Sequence, residues 1–404
     1  MTLRIVSPVL WLTVGALTVL QTAARADTQS ATSKIVQAAN AFLATLDDQQ
    51  KSKVLYRFDD GEQRARWSNF PVRVVPRGGL SMKELSEAQR TAAMAVVAAA
   101  LSQHGFEKVQ QIMEGDETLK GSEQREAMFG KDLFFISFLG KPSEKDPSML
   151  QFGGHHLALN ITIVGTQGVL TPSLTCAQPA TYKFNGKTVR PLGPENDKAF
   201  ALLSALDEGQ RKQAVLKYRV GDLVLGPGRD GETIQPEGLK VSAMNEKQRG
   251  MLLDLIAEWA GIENDTYATA RMAEIKAGLD DTYFAWSGPT TVEAGKNGTA
   301  YYRIQGPKLV IEYAPQGGGG GPRGRGRRGP GRGGPGGPGG GPGGAPGGPG
   351  GGSPGGRGPG GGGPGGGGPG GGPGGASSAA GGAMHIHTIY RDPTNDYGRA
   401  LTTK

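Results

Sequence analysis

Gly79-Leu80-Ser81-Met82-Lys83-Glu84-Leu85-Ser86-Glu87-Ala88-Gln89-Arg90 returns 159 residues later as Gly238-Leu239-Lys240-Val241-Ser242-Ala243-Met244-Asn245-Glu246-Lys247-Gln248-Arg249. Each copy leads into an apolar run. The match extends outward. Leu46-Asp47 with Gln50 recurs as Leu206-Asp207 with Gln210, Leu119 finds Leu279, and Gly154, Leu157, Leu159 and Asn160 find Gly306, Leu309, Ile311 and Glu312. Four matches in one order predict an internal duplication, with copies at about 33–164 and 196–316. Repeats this long imply two related halves packed together, not a solenoid of short units.

Each half reads alike. A helix is expected at about 33–57 and 196–219, where Ile35, Ala38, Phe42 and Leu46 follow the helical period. A second helix follows the quoted stretch, with Ser81-Met82-Lys83-Glu84 as a candidate capping box. A third is expected at 106–119 and at 264–279. Strand pairs close the halves: 133–138 with 157–164, then 283–286 with 301–313. Helical blocks followed by strand pairs predict an α+β fold in which the halves share an antiparallel sheet. With a last strand at 385–390, about five strands are expected.

The N-terminus reads as an export signal over residues 1–26. Arg4 precedes a mostly apolar run, and Ala24-Arg25-Ala26 offers small residues around a cleavage point before Asp27. The apolar run is short for a span of about 20 residues. The expectation is therefore a periplasmic or secreted chain with no transmembrane span once the signal is removed. Residues 27–316 and 383–404 form the folded part, and 317–382 is a Gly/Pro-rich insertion expected to be disordered, having too few apolar side chains to offset ordering entropy. Six arginines and no acids lie in that insertion, so the formal charge of +7 reports the insertion and the signal, not a basic face on the folded part. Arg323-Gly324-Arg325-Gly326-Arg327-Arg328 therefore reads as a solvated loop, and no specific nucleic-acid partner is expected.

Four of the five histidines fall in two clusters: His155-His156 after Gly153-Gly154, and His385-Ile386-His387. On a strand, His385 and His387 share a face. Read as strand residues, His155 and His156 point oppositely, with His156 on the less apolar face and His155 in a core or supporting role. His156, His385 and His387 thus form a candidate facial set for a divalent metal (zinc, copper or iron), with His155 as a further candidate ligand. Glu312 and Asp392 are candidate catalytic carboxylates, as a general base or as groups that orient a ligand. Asp396 is a similar neighbour.

Other motifs carry less. No His-Glu-x-x-His, Gly-x-Ser-x-Gly, phosphate-binding Gly-x-x-x-x-Gly-Lys or Cys-x-x-Cys occurs. Cys176 is the single cysteine and reads as a small buried apolar residue. Trp67 to Arg77 is an aromatic and basic loop, either packed or lining a pocket. Gly226 to Gly231 reads as a turn. Asn160-Ile161-Thr162 and Asn297-Gly298-Thr299 match glycosylation acceptors.

Gln151 to Leu157, Arg271-Met272-Ala273-Glu274-Ile275, Tyr283-Phe284-Ala285-Trp286, Tyr301 to Pro307 and His385 to Gly398 resemble a family of secreted bacterial proteins catalogued only as domain of unknown function 3500. The resemblance spans nearly all of the folded part and supplies no activity. The Gly/Pro-rich insertion departs from the family pattern. Two functional readings follow from the residues. One is an exported metal-binding protein of the hydrolase or oxidoreductase class. The other is a non-catalytic module for a small ligand or envelope polymer, with structural histidines. Oligomeric state is not encoded in any of these patterns.

Overall fold

The computed structural model describes residues 10–316 and 384–402, with backbone alone ahead of Asp27. What the sequence leads one to expect for residues 1–9, for the 317–382 insertion and for residues 383, 403 and 404 lies outside these. The helices are α1 (Leu10–Ala44), α2 (Asp48–Val54), α3 (Gly61–Arg64), α4 (Glu87–Ala100), α5 (Gln103–Glu117), α6 (Glu123–Glu126), α7 (Gly193–Ala205), α8 (Glu208–Ala214), α9 (Glu246–Ala260), α10 (Asp265–Ala277) and α11 (Arg399–Thr402). The strands are β1 (Leu55–Tyr56), β2 (Leu80–Ser81), β3 (Phe135–Leu139), β4 (Ser148–Gly154), β5 (Leu157–Val164), β6 (Gln167–Val169) and β7 (Ser173–Thr175). They continue as β8 (Tyr182–Phe184), β9 (Lys187–Val189), β10 (Leu239–Lys240), β11 (Tyr283–Ser287), β12 (Tyr301–Gly306), β13 (Leu309–Pro315) and β14 (Ile386–Arg391). The fold is α+β. Among these residues no helix is long and apolar enough to cross a membrane.

Twelve of the described strands make one sheet in the order β1-β3-β4-β5-β7-β14-β13-β12-β11-β10, with β2 also on β3 and β6 on β5. The sheet is mixed, not purely antiparallel, because β1 runs parallel to β3. It is also larger than five strands. The extra strands are mostly two or three residues long, too short to show a period of two.

The expected first helix is broken in both segments, and the break has a cause. Asp47 caps α2 through the amide of Gln50 (2.7 Å), and Gln50 returns a bond to the Asp47 amide (3.2 Å). Asp207 and Gln210 do the same for α8 (2.8 and 3.0 Å). An aspartate that can accept from N3 favours a helix start over a helix interior. Ser86 with Gln89 opens α4, and Asn245 with Gln248 opens α9, by the same reciprocal device. Ser81 and Glu84 are bonded too, but they open only a three-residue 3-10 turn.

The tertiary parallels run further. Gly79 (φ 96°) and Gly238 (φ 98°) lie so close to Ile136 O and Phe284 O that a Cβ would stand 2.2 and 2.3 Å away. Leu55 pairs in parallel with Phe138, as Val215 does with Trp286. Arg90 reaches Asp132, and Arg249 reaches Asp280. Ser102 N bonds Ile262 O while Asn264 N bonds Ala100 O, both at 3.1 Å. The Leu119–Leu279 match is not reproduced: Leu279 opens the 3-10 turn before β11, and the corresponding turn before β3 is Lys131–Leu133.

Alternation on β14 separates two environments. Thr388 and Tyr390 face the helices, meeting Trp259 Nε1 (3.1 Å) and Arg271 Nε (3.0 Å). Ile389 packs on the other side with Trp67, Ala158, Leu174 and Cys176. That side is covered by two segments without long elements, one carrying Trp67 to Arg77 and the other carrying Asp222 to Glu237. Asn160 and Asn297 are both buried, so neither glycosylation motif presents an accessible acceptor in this fold.

Candidate metal centre

His155 and His156 are not strand residues. They are the two-residue turn between β4 and β5, closed by the pair Gly154 and Leu157. The strand before them was hidden because Ser148–Gly154 is almost wholly buried and shows no polar–apolar alternation. The turn replaces strand parity with its own geometry. His156 takes φ 63°, a left-handed conformation uncommon outside glycine, with asparagine, aspartate and histidine adopting it more often than other residues. Both imidazoles then fold back into the protein, stacked with centroids 3.6 Å apart and buried.

Two further contacts bring the clusters together. Cys176 N bonds His156 O at 2.8 Å, and the next residue, Ala177, exchanges backbone bonds with Ile386. The start of β14 therefore passes beside the turn. His385 Nε2 lies 2.9 Å from His156 Nε2. His387 joins them, and one ring nitrogen from each of His156, His385 and His387 falls within 4.8 Å of the others. For comparison, nitrogens about 2.0–2.1 Å from a tetrahedral zinc are roughly 3.3 Å apart. The three histidines lie close enough to hold one metal ion.

The electrostatics suit a cation. Burial, reinforced by the neighbouring imidazoles, pushes His156 well below its usual range. Burial lowers His385 to about 3, with His387 and His155 adding to the shift. Both rings are neutral near pH 7 and offer lone pairs. His156 Nδ1 is buried with no hydrogen-bond partner, which a buried polar atom in a purely structural role would normally have.

The neighbours divide by role. Asp222, absent from the sequence reading, bonds His387 Nδ1 at 2.8 Å and also accepts from Gln316 Nε2 at 2.9 Å. A carboxylate on one imidazole nitrogen fixes the tautomer and puts the lone pair on the other nitrogen. Asn69 Nδ2 lies 3.2 Å from His387 Nε2, so the Trp67 to Arg77 loop borders the cluster. Arg77 ties that loop to the turn by donating to Ser68 O, Phe70 O and Gly154 O, and burial lowers it to about 10. His155 bonds Asp116 through Nδ1 (2.6 Å), which in turn holds Gly130 N (2.7 Å). It supports His156 by stacking and lies outside the three-nitrogen group.

The two carboxylates read as catalytic each have protein partners of their own. Glu312 is buried and accepts from Tyr301 Oη (2.6 Å), Val224 N (2.9 Å) and Leu225 N (2.7 Å). It anchors the segment that carries Asp222. Asp392 pairs with Arg271 at 2.8 Å and caps Thr394. Asp396 and Asp230 hold the buried Arg391. Cys176 is buried, its thiol pushed well up by burial, and it accepts from Thr388 N. No thiolate ligand is available. Among the described residues, the sequence could have flagged Asp222 only as an acid after Gly221 in a loop; nothing periodic surrounds it.

No curated protein and no solved structure matches the chain. A family model does match, over residues 28–328, a range that takes in His155 and His156 and stops ahead of His385 and His387. With most of its length matched, the chain belongs to the family described as "Protein of unknown function (DUF3500)".

Proposed function

We propose that this is an exported metal protein, cleaved near Asp27, in which His156, His385 and His387 bind one divalent transition-metal ion. We further propose that its scaffold consists of two related halves and that the site is single, formed where the first half's turn meets β14. The observation that carries the reading is the convergence of three imidazole nitrogens from segments 229 residues apart, two of them on rings held neutral by burial. An all-nitrogen donor set favours zinc, copper or iron over magnesium or calcium. Three such ligands leave a tetrahedral ion one open position, the arrangement used in metal-dependent hydrolysis, and copper or iron there would suit oxidoreductase chemistry. In either case the chain's own contributions are clear. Asp222 orients His387, His155 backs His156, and the Asp222 side, half exposed, is where a substrate would approach.

Metal analysis of the purified full chain tests this. About one ion per chain is expected in wild type, with near-complete loss in His385→Ala/His387→Ala. Substoichiometric metal under zinc, copper and iron supply would leave the histidines structural and favour the non-catalytic ligand- or polymer-binding reading.

A further inference from the structure

A second site lies on the opposite, helix-covered face of β14. A cavity of about 110 Å³ opens between β6, α10 and β14, lined among others by Thr171, Glu263, Tyr267, Arg271 and Tyr390. That is room for several waters or a small molecule. Two of the lining residues, Glu263 and Thr171, each carry a buried oxygen, Oε1 and Oγ1, without any hydrogen-bond partner. These residues are only 3% and 2% exposed. Arg271 does not satisfy Glu263. Its guanidinium is committed to Tyr390 Oη, Glu274, Asp392 and Lys308 O.

The position of Glu263 sharpens the point. It forms a bridge with Leu101, flanked by the two reciprocal backbone bonds between 100–102 and 262–264. At the matching place the first segment has a buried leucine. A carboxyl group there, with no donor supplied by the protein, is a departure from packing that calls for a ligand. Glu274 joins Glu263 on the lining against Arg271 alone, and two tyrosine rings form the wall. A carboxylate with aromatic walls in an acid-rich surround suits an ammonium group.

We propose that this cavity binds a small primary amine in its ammonium form, with Glu263 as the anionic anchor. Tyr267 and Tyr390 pack against the carbon atoms. Burial holds Glu263 protonated to about pH 8 in the free protein, so docking of an ammonium group displaces that proton. This site does not depend on the metal reading.

Calorimetric titration of the full chain with ethylammonium, ethanolamine and putrescine tests the proposal, with ethylene glycol as the neutral counterpart. At least one amine should bind saturably at one site per chain, and ethylene glycol should not. Glu263→Gln keeps the shape of the protonated acid, so the chain should fold, and it should bind the amine at least tenfold more weakly. Ala270→Leu, on the exposed rim of the cavity, should weaken binding while leaving the carboxyl in place. Absence of saturable binding by all three amines would overturn the proposal. So would equal affinity in Glu263→Gln, or ethylene glycol binding as tightly as the amines.

Discussion

The β4–β5 turn and the β12–β13 turn have the same length and register: Gly154 pairs with Leu157, and Gly306 with Leu309. Their contents differ completely. Pro307-Lys308 is exposed and cheap, with proline supplying the φ a turn wants. His155-His156 is buried, carries φ 63° at His156, and leaves one imidazole nitrogen without a partner. One hairpin shows what the scaffold requires. The other carries more than a turn needs. Positions that break local rules without a packing reason concentrate at functional sites.

The sharpest way to break this comparison is to remove the imidazole from one turn and the lysine from the other. His156→Ala should take metal content from about one ion per chain to near none, since one of three ligands is gone. Lys308→Ala should leave it unchanged. Equal metal content in both variants would sink the metal centre.

A second contrast is Leu101 against Glu263. Glu263 keeps its proton to about pH 8 when folded and releases it near 4.5 when unfolded. Arg271 alone opposes that shift; Tyr267 and Glu274 on α10 and Tyr390 on β14 also face the group. Between those pH values the native state binds more protons than the unfolded one, so wild-type stability falls as pH rises from about 4.5 to 8. The loss is on the order of a few kcal/mol. Glu263→Leu, copying the first segment, should abolish that slope in urea melts at pH 5, 6.5 and 8. An unchanged slope would mean that Glu263 does not carry it.

The sequence was informative where local rules operate. Asp47, Ser86, Asp207 and Asn245, each with a glutamine three residues on, are helix starts in both segments, a local rule that the expected unbroken helices over 33–57 and 196–219 passed over. His385 and His387 share a face, as a period of two requires. What could not be read was nonlocal. β4 is buried along nearly its whole length and so lacks alternation. β7 is three residues, yet it joins β5 to β14 and thereby sets the two histidine clusters together. Asp222 reaches His387 only because Glu312 pins Val224 and Leu225 from a distant strand.

That dependence gives a smaller prediction on the same site. Asp222→Asn removes the charge on the partner of His387 Nδ1 and should weaken metal binding about 10- to 100-fold without abolishing it. Competition with a chelator of known affinity measures this. A loss as complete as in His156→Ala would make Asp222 a ligand, not a positioning residue.

The smallest expected effect separates function from packing most cleanly. Truncating a buried side chain ordinarily costs about 2–5 kcal/mol. His156→Gly in metal-free protein should depart from that rule. Glycine relieves a left-handed conformation that costs a non-glycine residue about 1–3 kcal/mol. It also deletes a buried nitrogen whose lack of a partner costs about 1–3 kcal/mol. Against these gains stand the ordinary truncation cost, which takes in the lost stacking on His155 and the lost contact with His385 Nε2, and a backbone-entropy term of about 0.5–1 kcal/mol. The net change should be within about 1 kcal/mol, no worse than Lys308→Gly on the exposed turn. Denaturant melts of both variants after chelation make the measurement. A loss of about 3 kcal/mol or more in His156→Gly would show that the imidazole holds the fold together, and the contrast between the two turns would then be one of packing alone.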